Sequence, residues 1–172
     1  MTTICKIEKC LFNSTDDVVA EIVKTILNAH DSVYVMQFWF SWKPIADALI
    51  SAHKKGVKIN VLTDQRSLVK YMQDNQTTYS QSVLEYLFDN GIERVAIYLK
   101  TLFHHKVIIA DDVVVLGSLN LFKKSIHEHA ESIIFIKSDK TCEFYRREFE
   151  SRYKDALDLQ SAMDATKDQP RD

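Results

Sequence analysis

Residues 31–40, DSVYVMQFWF, are nearly all apolar, and after Asp31-Ser32 only Gln37 interrupts the run. A strand that is apolar on both faces has to be covered on both faces, which places it inside a sheet with helices on either side. VKINVLTD, residues 57–64, reads as a second buried strand. Between the two, Ser41 can cap a helix with Pro44 in its first turn, Ile45, Leu49 and Ala52 on one side, and Gly56 at its end. Upstream, residues 4–11 read as a short strand. Ser14-Thr15-Asp16-Asp17 then offers an N-cap to a helix that carries Val18, Val19, Ile22, Val23, Ile26 and Leu27 at helical spacing. Downstream, Val83, Leu84, Leu87 and Phe88 mark a helix ended by Gly91. Strands are expected near 93–99, 102–110, 113–119 and 130–137, and a last helix over 139–158 with Tyr145, Phe149, Tyr153 and Leu157 four apart. The order predicts an α/β fold, a mixed β-sheet flanked by helices on both faces. A chain of 172 residues suits one core. Residues 1–158 are read as a single domain and 159–172 as a flexible tail. The polar stretch 65–81 reads equally well as a surface loop or a substrate contact.

The charge balance narrows the function classes. A net charge of −2 carries no global basic signature, so any anion site has to be built locally. Cys5, Cys10 and Cys142 are odd in number and lack CxxC spacing, which predicts free thiols in a reducing compartment, the cytoplasm. No apolar stretch approaches the ~20 residues needed to cross a bilayer, and the first residues lack a secretory h-region, so no stable membrane insertion is expected.

The chemistry concentrates in HHKVIIADDVVVLGSLN, residues 104–120. An apolar hairpin here carries groups that are costly to bury. Residues i and i+2 of a strand share a face, so His104 and Lys106 pair, as do Ser118 and Asn120. If both pairs meet in one cleft, an ammonium and a carboxamide stand ready for phosphate oxygens, and an imidazole for nucleophilic or base chemistry. Gly117 inside a strand marks a close backbone approach or a bulge. Lys123 and Lys124 follow directly and are expected near the cleft as substrate contacts. Trp42, just past a strand end, is the aromatic best placed for exposure. His127 and His129 share a face if extended, yet no set of cysteines or carboxylates completes a metal site with them, and no metal is expected.

HHK, four further residues, Asp111 and then GSLN resemble the HxKxxxxD…GSxN signature of the phospholipase D superfamily, and HAES ends in Glu131 where that family often carries an acid. The resemblance covers most of residues 15–155. It implies attack by His104 on phosphorus, a phosphohistidine intermediate, and no cofactor. It implies non-bridging oxygens held by Lys106 and Asn120 with help from Ser118, and Glu131 accepting a hydrogen bond from the other ring nitrogen of His104. Asp111, at the hairpin turn, is read as structural. The mechanism needs two histidines and the chain holds one motif, so a homodimer with one shared site is expected. The favoured function is endonuclease cleavage of DNA or RNA. Hydrolysis of phosphatidyl or cardiolipin head groups is the second reading, and a non-cleaving nucleic-acid-binding or dimerisation module the third.

One departure from the family pattern bears on geometry. Five residues separate Asp111 from Gly117 where the family usually has six. A two-residue turn at Asp111-Asp112 would oppose Lys106 to Gly117 and put Ser118 and Asn120 on the wrong face. A three-residue turn or a bulge near Gly117 is therefore predicted.

Overall fold

The computed structural model describes residues 5–68 and 82–166. In chain order they form β1 (Lys6–Phe12), α1 (Val18–Leu27), β2 (Ser32–Gln37), α2 (Lys43–Lys54), β3 (Lys58–Asp64) and a 3-10 turn (Gln65–Leu68). Then come α3 (Val83–Asp89), β4 (Val95–Tyr98), β5 (Lys106–Ala110), β6 (Val113–Gly117) and α4 (Lys123–His127). The chain continues with β7 (Ser132–Lys137), α5 (Asp139–Tyr153), β8 (Leu157–Asp158) and α6 (Leu159–Thr166). Of the 65–81 stretch, residues 69–81 lie outside the described residues.

All eight strands join one sheet in the order β1-β7-β6-β5-β2-β3-β4-β8. Strands β2, β3 and β4 run parallel, and every other pairing is antiparallel, so the sheet is mixed. Alternation sorts the apolar strand residues to two cores. Val33, Val35, Ile59, Val61, Ile108 and Ala110 face the layer of α1, α2, α3 and α6. Met36, Leu62, Val107 and Ile109 face α5, which contributes Cys142 and Phe149. Phe149 is fully buried, edge-on to Tyr34 at 5.1 Å and stacked on Tyr153 at 5.5 Å. Burial pushes the Cys142 thiol up to about 11, which makes it an inert core residue.

The helix starts follow from local chemistry. Asp17 accepts the Ala20 N–H at 3.0 Å, and Ser82 with Glu85 forms a reciprocal capping box. Ser41 does not cap α2. Trp42 occupies the cap position without a side-chain bond, and the Ser41 N–H goes to the Leu121 carbonyl at 2.9 Å instead.

The expectation of a flexible tail from residue 159 is corrected. After α5 ends at Tyr153, Leu157 and Asp158 pair with Ile97 and Ala96 at the sheet edge. Helix α6 then docks with Leu159 and Ala162 buried. These, with Met163, give an i, i+3, i+4 stripe too short to stand out in a polar segment. Residues 167–172 lie outside the described residues.

Asp111 locks the β5–β6 turn to the start of β2. Its carboxylate accepts backbone N–H groups from His30 (2.7 Å), Asp31 (3.1 Å) and Ser32 (3.0 Å). Its backbone sits at φ 49, in the left-handed region. Partial burial raises its pKa, but the three donors outweigh that and hold it below the usual carboxylate range. A depressed carboxyl contributes stability that is present above its unfolded value and lost as pH falls through the folded one. Asp111→Gly relieves the backbone strain yet is expected to cost about 2 kcal/mol, roughly 5 °C in Tm, through the lost hydrogen bonds. The deficit should shrink as thermal melts are taken to acid pH. A neutral Asp111→Gly would show that the carboxylate clamp contributes nothing.

Candidate active site

His104 lies in the link between β4 and β5, exposed, with its backbone pinned on both sides. The Phe103 N–H donates to the buried Asp64 carboxylate at 3.1 Å. The Phe38 N–H donates to the His105 carbonyl at 2.8 Å. His105 turns the other way, against the Phe103 ring at 4.9 Å and 3.9 Å from Glu148, and burial lowers its pKa.

The hairpin register overturns the expected odd-length loop. Ala110 pairs Val113 and Val107 pairs Leu116, which leaves a plain two-residue turn at Asp111-Asp112. The pairing of β6 with β7 is regular through Gly117, so no bulge intervenes there. Ser118 and Asn120 escape the parity argument because they lie beyond the end of β6. Strand β5 begins only at Lys106, and the chain after Gly117 crosses into the space next to the extension of β2. There the Leu121 N–H bonds the Trp39 carbonyl at 3.0 Å, and Phe40 and Leu121 form a parallel bridge. Alternation fixes a face only along a continuous ladder. The crossing requires glycine, since a Cβ at position 117 would stand 2.0 Å from the Ser132 carbonyl oxygen.

Two side-chain groups result. In the first, Lys106 Nζ lies 3.3 Å from His104 Nε2 and donates to the His104 carbonyl at 3.3 Å. Both rest on Phe38, whose ring centroid is 4.6 Å from that of His104 and 5.2 Å from Lys106 Nζ. Burial lowers the Lys106 pKa, opposed in part by the charge of Glu131. Across the β2–β5 pairing Lys106 faces Gln37, which is buried with its Oε1 lacking a partner.

In the second group, Glu131 accepts from the hydroxyls of Ser118 and of the buried Ser125, the latter at 2.5 Å. His129 Nδ1 stands 3.6 Å from the same carboxylate. Ser125 Oγ also receives the Asn120 N–H at 2.9 Å, while the buried Asn120 Oδ1 lacks a partner. Asn13 secures the loop before β7 by accepting the Glu131 N–H at 2.9 Å and donating to the His129 carbonyl at 2.7 Å. The expected bond from His104 to Glu131 is not formed. The carboxylate is held by hydroxyls on its own side of the site, and it reaches the other group through its charge on Lys106.

Trp42 is half-buried and meets the His127 ring edge-on at 5.3 Å, so it is not the exposed aromatic expected. Trp39, stacked on Phe122 at 4.6 Å, is half-buried as well. Lys123 and Lys124 open α4 with exposed side chains. Among the described residues no three His, Cys, Asp or Glu side chains cluster to hold a metal ion. Also among them, no helix is long and apolar enough to cross a membrane.

Residues 22–153 match the family model described as cardiolipin synthase, PLD-like domain. A phospholipase D of Rickettsia prowazekii is 33% identical over 76% of this chain and 60% of its own length. A mitochondrial cardiolipin hydrolase of Xenopus tropicalis is 28% identical over 82% of this chain and 63% of its own length. The chain thus spans about three fifths of these curated relatives. Among solved structures, Nuc from Salmonella typhimurium, described as a phospholipase D family member, superposes with a TM-score of 0.78 at 22% identity, covering 91% of this chain and 99% of that one. NucT from Helicobacter pylori gives 0.74 at 20% identity, covering 91% and 100%. At these identities the two structures establish the shared fold.

Gly117→Ala should destabilise the protein by about 3 kcal/mol, because the added methyl meets backbone that cannot swing aside. Chemical denaturation measures this. A change below about 0.5 kcal/mol would show that the crossing is looser than its geometry indicates.

Proposed function

The chain belongs to the PLD-like domain family, and from that premise we propose that it is a metal-independent phosphodiesterase, an endonuclease acting on DNA or RNA. The observation that carries the reading is the contact between the exposed His104 imidazole and the Lys106 ammonium, 3.3 Å apart on one aromatic ring. His104 Nε2 forms a bond to phosphorus as the bond to the leaving oxygen breaks. A second imidazole, from His104 of a second copy, gives that oxygen its proton. Water then attacks the phosphohistidine and loses its proton to the same second imidazole, which frees the product and His104. Lys106 turns from His104 to a non-bridging oxygen, and the Asn120 carboxamide takes another, with Ser118 beside it. The chain has one such motif, which is why the working unit is read as a homodimer.

A polynucleotide suits the surroundings. The nucleophile is exposed on an open rim against Phe38, and the exposed Lys123 and Lys124 add charge at the start of α4. The exposed free thiols of Cys5 and Cys10 fit the cytoplasm. A second reading, hydrolysis of a phospholipid head group, is favoured by the names of the curated relatives.

Wild type and His104→Ala should be incubated with single-stranded DNA, duplex DNA, RNA and phospholipid vesicles in EDTA. Wild type, sedimenting as a dimer, is expected to cleave nucleic acid, and the variant to lose about 10³-fold or more in kcat/KM. Turnover of vesicles alone would replace the nuclease reading with the second one. Binding without turnover by both proteins would leave only a non-cleaving module, and full activity in a strictly monomeric protein would end the shared-site model. Lys106 must be charged to hold phosphate, and burial lowers its pKa, so the alkaline limb of the pH–rate profile should fall at a lower pH than an ordinary lysine would set. Lys106→Arg should move that limb upward at reduced rate. An unmoved limb would assign it to another group.

A further inference from the structure

We propose that Arg66 binds a second phosphate of the substrate, adjacent to the one cleaved, so that the site selects a polynucleotide over an isolated phosphodiester. The inference rests on the phosphodiesterase reading above and adds a substrate-selecting residue to it. Arg66 sits in the 3-10 turn directly after β3, at the carboxyl end of the parallel strands, the same rim on which the chain continues from β2 into Phe38. Ligands of such sheets collect outside the carboxyl ends of the strands.

The guanidinium is held in place from beneath. The Asp64 carboxylate is 3% exposed and accepts both the Arg66 backbone N–H at 3.1 Å and Nη1 at 3.2 Å through Oδ1. Its other oxygen accepts the N–H of Phe103, the residue before His104. One buried carboxylate therefore positions both the guanidinium and the backbone that leads into the nucleophile. Arg66 Cζ lies 5.0 Å from the centroid of Phe38, the ring that also supports His104 and Lys106. Imidazole, ammonium and guanidinium thus gather about one aromatic ring.

The chemistry of arginine fits this role. A phosphate held by His104 and Lys106 brings its neighbour along the chain within a short reach, and a planar fork binds phosphate in two-point fashion. The Arg66 side chain is 49% exposed, so it stays accessible to a ligand while Nη1 contacts Asp64. In a chain of net charge −2 the affinity for a polyanion has to come from such local cations.

The test measures binding and turnover separately. A fluorescent single-stranded oligonucleotide is titrated at several salt concentrations onto His104→Ala and onto His104→Ala carrying Arg66→Gln or Arg66→Lys. Arg66→Gln should weaken binding about fivefold to tenfold and reduce the slope of log affinity against log salt by about 0.7, the loss of one phosphate contact on a single strand. Arg66→Lys should restore the slope. In the His104 wild-type background, Arg66→Gln should lower kcat/KM on an oligonucleotide about tenfold more than on bis(p-nitrophenyl) phosphate. Equal losses on both substrates, or an unchanged salt slope, would overturn the assignment. So would a loss confined to cardiolipin vesicles. Failure of wild type to cleave any phosphodiester, with the binding differences intact, would instead count against His104 as the nucleophile.

Discussion

A single close contact between backbones sets the geometry of this protein. The Ser132 carbonyl occupies the space that any side chain at position 117 would need. With glycine there, the chain leaving β6 stays against β7 for one more residue and then crosses over the start of β5. The polar groups around Glu131 depend on that crossing. It delivers Ser118 to Glu131, brings the Asn120 N–H to Ser125, and lets Leu121 bond the backbone beyond β2. The apolar residues beneath, Val107, Ile109 and Val114, pack as an ordinary hairpin would.

The same arrangement explains what was legible in the sequence. Both buried strands and the placement of helices on both faces of the sheet followed from composition and period, because β2 is apolar on both faces and needs cover on both. His104 and Lys106 were legible because two residues apart means side by side in any extended segment. The turn is shorter than expected because a shared face for Lys106, Ser118 and Asn120 needs an odd loop only where the β5–β6 ladder continues to Asn120, whereas it ends near Gly117. Ser125, Asn13 and Asp64 carried no local signal. Each acts through a hydrogen bond to a distant segment, as when Asn13 holds the loop at Glu131. Gln37 did carry one, as the lone polar residue in an apolar run, and it stands across from Lys106. Helix α4 has only five residues and α6 a three-residue stripe, both below what periodicity resolves.

The site also shows how a small fold keeps charged groups near a core. Asp64 is buried but accepts from two backbone N–H groups and a guanidinium. Glu131 is satisfied by two hydroxyls. Lys106 is the less compensated partner, with burial drawing its pKa down, and Gln37 Oε1 beside it lacks a protein donor. A lysine short of compensating charge responds to an arriving anion, because binding supplies what the free protein lacks.

The sheet is made of two topologically different parts. Strands β5, β6 and β7 are antiparallel neighbours that follow one another in the chain, whereas β2 and β3 run parallel and are joined through a helix, and the two parts meet where β2 lies beside β5. Phe38 belongs to one part, and the histidine and lysine it carries belong to the other. A nascent chain that has assembled only the later strands holds the ammonium and imidazole without the aromatic floor beneath them. The aromatic floor therefore arrives only with the long-range docking of β2 beside β5, which closes the loop between distant segments.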